Sequence, residues 1–160
     1  AMLRIWTVAV CEAAKAIGEI AQILATTGDA KKSCETARLQ EEQYDQAETL
    51  LSVVDALALK GETAEIAAII NEAETITNIV PQVSAKADLL IEIAKRRKEF
   101  GDAAAATKTA EDAIAAILEI RDESRRVTSL ATLSSAVADI STLSESAQSG
   151  LVRLIAAAEA

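Results

Sequence analysis

A glycine followed by an acidic residue punctuates this chain three times, at Gly28-Asp29, Gly61-Glu62 and Gly101-Asp102. Each pair sits between two runs of helix-forming residues. A phrase that returns in this way marks a repeat architecture, in which one unit cannot bury its apolar face alone and must stack on its neighbours. That requirement limits the fold more than any single residue does.

The third unit is the clearest. Leu90, Ile93 and Ala94 follow the i, i+3, i+4 spacing of one helical stripe, with Leu89 and Phe100 beside them. Gly101 suits the left-handed residue that ends a helix, and Asp102 suits the N-cap of the next. Ala106, Ala110, Ala113, Ile114 and Ile117 then form a second stripe. In the second unit Leu50, Val53 and Val54 precede Gly61-Glu62, and Ile66, Ile70 and Ala73 follow. In the first, Ile17, Ile20 and Ala21 precede Gly28-Asp29, and Ala37 follows. A fourth unit is degenerate: Leu130 and Leu133 keep the spacing, Asp139-Ile140-Ser141 replaces the turn, and Ala147, Leu151 and Leu154 carry the last stripe. Pro81 closes the helix before it. The pattern predicts eight helices, over 3–27, 30–43, 45–60, 62–79, 83–99, 102–121, 123–139 and 142–158. Residues 1–160 then read as a single helical-repeat domain. Ala1 before Met2 reads as a cloning remnant, so a piece of a longer repeat protein is one reading.

Half of the residues are apolar, yet there is one Trp, one Tyr and one Phe. The core is therefore expected to be Ala, Leu, Ile and Val, small enough for close helix packing. Acidic residues outnumber basic ones, 25 to 16, for a formal charge of -9. That balance disfavours a nucleic-acid backbone as partner. The run Lys95-Arg96-Arg97-Lys98 reads as a solvated helix face. No apolar run reaches the ~20 residues that span a bilayer, so no membrane partner is expected. Cys11 and Cys34 have no C-x-x-C spacing, which points to reduced, buried thiols and a cytoplasmic setting.

The third unit resembles the tetratricopeptide repeat, which pairs two antiparallel helices around a Gly-Asp turn. Leu90, Ile93, Ala94, Gly101-Asp102, Ala106, Ala110 and Ala113 fall where that family keeps its leucine, small, turn and packing residues. The aromatic positions of the family are almost all aliphatic here, and Gln40 stands where an alanine is expected. The resemblance implies an all-α solenoid of about four antiparallel hairpins, a right-handed superhelix. It also implies a concave groove lined by the first helix of each hairpin. The groove positions map to Gly18, Glu19 and Gln22, to Leu51, Ser52 and Asp55, and to Ile91, Glu92 and Lys95. From these, Glu19, Gln22, Leu51, Asp55, Ile91 and Lys95 are the candidate peptide-binding residues. The mixed apolar and acidic lining suits a segment with some basic character.

Chemistry is not expected. The chain has no histidine, which removes the commonest general base and metal ligand. Each glycine stands alone, so there is no phosphate loop. The crowd of Glu35, Glu41, Glu42, Asp45 and Glu48 reads as a solvated acidic helix end. No cofactor or metal is implied. Two functions fit: a non-enzymatic scaffold that holds a protein or peptide segment, or a structural protein that assembles into homo-oligomers. The second draws on the apolar start of the chain, with Leu3, Ile5, Trp6 and Val10 as candidate self-association residues.

Overall fold

The computed structural model describes the backbone of residues 2–136 and 145–158, with side chains for 12–136 and for part of the last helix. Among the described residues the chain is all-helical. The elements are α1 (Met2–Thr27), α2 (Ala30–Ala37), α3 (Gln43–Lys60), α4 (Ile66–Asn78), α5 (Val83–Glu99), α6 (Ala103–Glu119), α7 (Glu123–Ala136) and α8 (Glu145–Ala158). The expected turn at Asp139-Ile140-Ser141 lies outside the described residues. So do the side chains of Leu3, Ile5, Trp6, Val10, Cys11, Ala147, Leu151 and Leu154.

The three glycine turns share one hydrogen-bond pattern. Gly28 N–H donates to Ala25 O and Asp29 N–H to Leu24 O. Gly61 and Glu62 repeat this on Ala58 and Leu57, as do Gly101 and Asp102 on Lys98 and Arg97. This is the Schellman closure, which satisfies the orphan carbonyls of a helix end and needs a left-handed residue. The three glycines supply it, with φ of +93°, +76° and +83°. After the first and third turns the acidic residue also caps the next helix. Asp29 Oδ1 accepts from Lys32 N–H, and Asp102 Oδ1 from Ala105 N–H, both at 3.1 Å. Hydrogen bonds from the Lys32 ammonium and then its backbone N–H hold the Asp29 carboxyl below the usual carboxylate range.

Two boundaries differ from the expected ones by four residues or more, each for a chemical reason. α4 begins at Ile66, not at residue 62. Glutamate is one methylene longer than aspartate and is not a favoured N-cap. Glu62 therefore closes the glycine turn without starting a helix, and Ile66 N–H bonds back to Thr63 O. α2 ends at Ala37, not at residue 43. Two side chains just past that end are engaged elsewhere. Arg38 forms a two-pronged pair with Glu72 of α4, at 2.6 and 2.8 Å. Gln40 turns inward and is buried.

The contacts divide the chain into two compact units, Ala1–Ile76 and Thr77–Ala160. In the first, α1 packs on α2 and α3, and α2 packs on α3. Ala21, Ala25, Ala37, Leu50, Val53, Val54, Leu57, Ile66, Ile70 and Ala73 are buried there. Ile20, expected in the stripe of α1, is instead 50% exposed, as is Ile23 at 60%. The turn at Gly28-Asp29 and the segment Gly61–Glu65 line a common cavity of about 530 Å³.

In the second unit α5 packs on α6 and α7, α6 on α7 and α8, and α7 on α8. Its core joins Ala87, Leu90, Ile91, Ala94, Ala110, Ala113, Ile114, Ile117 and Leu133. Alanine at so many of these positions fits the aromatic-poor composition. Asp88 of α5 holds α7 through Arg125 Nη2, at 2.7 Å, and Ser129 Oγ, at 3.3 Å. The basic run is not a uniformly solvated face. Lys95 and Lys98 are exposed, Arg96 pairs with Glu92 at 2.6 Å, and Arg97 is buried. Arg97 Nη1 donates to Thr109 Oγ1 at 2.8 Å, which ties α5 to α6.

Gly61 and Gly101 have open space where a Cβ would lie. Substitution there carries only the backbone cost of a left-handed residue. Gly61→Ala and Gly101→Ala should each lose about 1 kcal/mol in urea denaturation, and Gly→Asn at the same positions less than Gly→Ala. Equal losses for Ala and Asn would point to something other than backbone angle.

Candidate functional site

Helical spacing sets Ala14, Gly18 and Gln22 on one face of α1, with Lys15 and Glu19 beside them. Asp45, Glu48, Thr49 and Ser52 share a face of α3 by the same rule. These nine residues and Gln40, from the segment between α2 and α3, line a cleft of about 430 Å³. A volume in this range is that of ordinary ligand clefts.

Gln40 holds the cleft together. It is 7% exposed, and its Nε2 donates to Ala14 O at 2.9 Å and to Thr49 Oγ1 at 3.2 Å. One side-chain amide thus ties the backbone of α1 to a side chain of α3. Ala14 O can only accept, so the nitrogen must face it, and the orientation of the amide is settled by chemistry. Gly18 lies beside this arrangement: a Cβ there would stand at ordinary contact distance, 3.4 Å from Thr49 Oγ1 and 3.9 Å from Gln40 Nε2. Both donor hydrogens of Gln40 are committed. Its Oε1 meets no donor among the described residues and is not sealed from solvent.

The cleft is acidic. Glu19, Asp45 and Glu48 face one cation, Lys15. Lys15 leans on Glu19 at 3.9 Å, with both side chains largely exposed, a weak pair of the usual surface kind. Asp45 and Glu48 have no ion pair among the described residues.

Of the candidate peptide-binding residues, Glu19 and Gln22 lie in this cleft, together with Gly18 and Ser52. Leu51 is buried at 3% exposure. Asp55 is exposed on α3 but is not part of the lining. Ile91 and Lys95 belong to the second unit, where Ile91 is core and Lys95 is exposed. The residues that sequence reasoning missed are Gln40, Thr49, Asp45 and Glu48. Gln40 did carry a signal, being a polar residue where an alanine is expected.

The second unit has a cleft of about 410 Å³, lined by Val80, Val83, Leu90 and Ala116 with Asp112 and Glu119. Lys86, its one cation, donates to Asn78 O at 3.2 Å. No lining residue there is both polar and buried. The α1–α3 cleft is therefore the stronger candidate.

Among the described residues no group of three or more His, Cys, Asp or Glu could hold a metal ion. Cys34 is buried, and burial pushes its thiol above the ordinary value, against a smaller opposing pull from Arg38. A raised thiol pKa is the reverse of what an activated nucleophile needs.

The same shift makes a stability prediction. A thiol that ionises less readily in the folded chain adds stability below the ordinary cysteine value and loses it as pH rises through the folded value. Melting temperatures measured from about pH 8 upward should therefore fall more steeply for the wild-type chain than for Cys34→Ala. Parallel profiles would show that the thiol is not held neutral by the fold.

No family model matches this chain, and no curated protein or solved structure does.

Proposed function

We propose that the chain is a non-enzymatic interaction module that holds a polypeptide segment in the cleft between α1 and α3. The observation that carries this reading is the cleft itself. It has a buried polar floor at Gln40 and walls from two neighbouring first helices of hairpins. A polar site with convergent hydrogen-bonding groups suits recognition. The tetratricopeptide-like solenoid belongs to the same proposal. Its support is that α1 packs on α2 and α3, that α5 packs on α6 and α7 and α6 on α7 and α8, and that three helices close on glycine turns. A cytoplasmic setting is part of it as well, on the cysteine pattern. No helix among the described residues is long and apolar enough to cross a membrane.

Self-association through α1 is a second reading, and a specific observation favours it. Ile20 and Ile23 present apolar side chains to solvent one turn apart. In α3 the residues the same distance before the turn glycine, Val53 and Ala56, are buried.

Peptide display against the immobilised chain separates the two readings. Because Leu51 and Ile91 are buried, Leu51→Asp and Ile91→Asp would disturb the core, so exposed Gln22 is the position to vary. Gln22→Trp should weaken every selected peptide by about tenfold, or about 1.4 kcal/mol. Unchanged affinity would place recognition outside the cleft. A concentration-dependent mass in light scattering that Ile20→Glu and Ile23→Glu reduce to the monomer would favour assembly.

A further inference from the structure

We infer that copies of this chain associate head to tail, with α7 of one copy seated on α1 of another. The inference rests on the self-association reading and is independent of the cleft. Helical register carries it. α3, α5 and α7 begin at Gln43, Val83 and Glu123, 40 residues apart, so their positions correspond one to one. α1 aligns with α3 by counting back from the turn glycines Gly28 and Gly61.

One face of each such helix receives the first helix of the hairpin before it. In α3 that face is Thr49, Val53 and Ala56, all buried. Thr49 Oγ1 accepts from Gln40 and stands 3.4 Å from where a Cβ of Gly18 would lie on α1. In α7 the same positions are Ser129, Leu133 and Ala136. Ser129 Oγ reaches Asp88 of α5 at 3.3 Å, and Leu133 and Ala136 pack into the core that Leu90 and Ile91 of α5 share. In α1 they are Ala16, Ile20 and Ile23, and all three are exposed.

The opposite face supplies the other half of the contact. Gly18 of α1 corresponds to Leu51, Ile91 and Ala131. One turn earlier, Ala47 and Ala87 correspond to Val127. In α3 and α5 these positions are buried, and Ala87 and Ile91 lie in the same core as Leu133. In α7 they are open: Ala131 is exposed, and Val127 is 42% exposed. One chain therefore presents both halves of the contact that joins α1 to α3 and α5 to α7, each facing solvent. A second copy carries the complementary half of each. Charge, which ordinarily keeps surfaces apart, is nearly absent from both. No charged residue lies between Val127 and Ala136, and Glu19 is the one between Ala16 and Thr27. Because the two surfaces differ, the contact is heterologous, and each copy added leaves one face of each kind open unless a ring closes.

The test is light scattering on the full chain from about 10 µM to about 1 mM, where a weak contact becomes populated. The weight-average mass should rise with concentration past twice that of one chain. Ile20→Glu, and separately Ala131→Glu or Val127→Glu, should each return the chain to the monomer with an unchanged circular dichroism spectrum, since all three positions are exposed. The decisive sample mixes Ile20→Glu with Ala131→Glu. Each variant keeps one intact face, so the equimolar mixture should form a one-to-one dimer and stop there. A mixture that stays monomeric overturns the inference. If the mass rises and the α7 substitutions leave it unchanged, the head-to-tail contact falls and self-association stands. A wild-type monomer throughout the range overturns both and leaves polypeptide binding in the cleft untouched.

Discussion

A helix that ends on a left-handed glycine can reverse the chain within two residues, and the layout of this protein depends on that reversal. The same closure occurs at Gly28, Gly61 and Gly101, each with a six-to-one bond from the next N–H back to a carbonyl of the helix's last turn. The residue after the glycine decides how tight the hairpin is. Aspartate caps the next helix directly, as at Asp29 and Asp102. Glutamate does not, and α4 starts four residues late. A single methylene thus sets the length of a turn, and with it the shape of the cavity shared by the first two turns.

Short turns leave the faces between helices to be filled by small side chains. In the second unit this is done mainly with alanine, isoleucine and leucine. In the first unit the seam between α1 and α3 is different: a glycine, a glutamine and a threonine meet there. An apolar seam would have closed on itself. A polar one needs its donors and acceptors satisfied, and Gln40 meets that need through its nitrogen, which bonds both helices. The proposed recognition site is therefore a by-product of how two helices are joined.

Much of the fold was legible in the sequence because its determinants are local. Glycine at a helix end, aspartate after it and the 3.6-residue stripes placed the helices, and α1, α3, α5 and α6 have both ends within about two residues of the expected ones. Apart from the late start of α4, which is local, the main misses depend on what lies distant along the chain. Gln40 meets Ala14, 26 residues away, and no local pattern announces that. Arg97 is buried because Thr109 lies across the hairpin, although its neighbours in sequence suggest a solvated basic face. Ile20 keeps the spacing of a core residue and is exposed, since periodicity assigns a stripe but not what lies against it. Half of the cleft was legible for a related reason. The α1 side, Glu19 and Gln22, comes from helix register, whereas Asp45 and Glu48 look like any acidic helix start until α3 is laid beside α1.

The side-chain amide protons of Gln40 offer the most direct test, because the seam and the cleft floor both depend on them. Their hydrogen exchange can be followed by ¹⁵N NMR with Gln22, exposed in the same cleft, as an internal reference. Exchange much slower than that of Gln22, with through-space contacts to Thr49, is the predicted result. Exchange at the rate of Gln22 would mean that the amide is not bridging α1 and α3, and that the cleft lacks the floor described here.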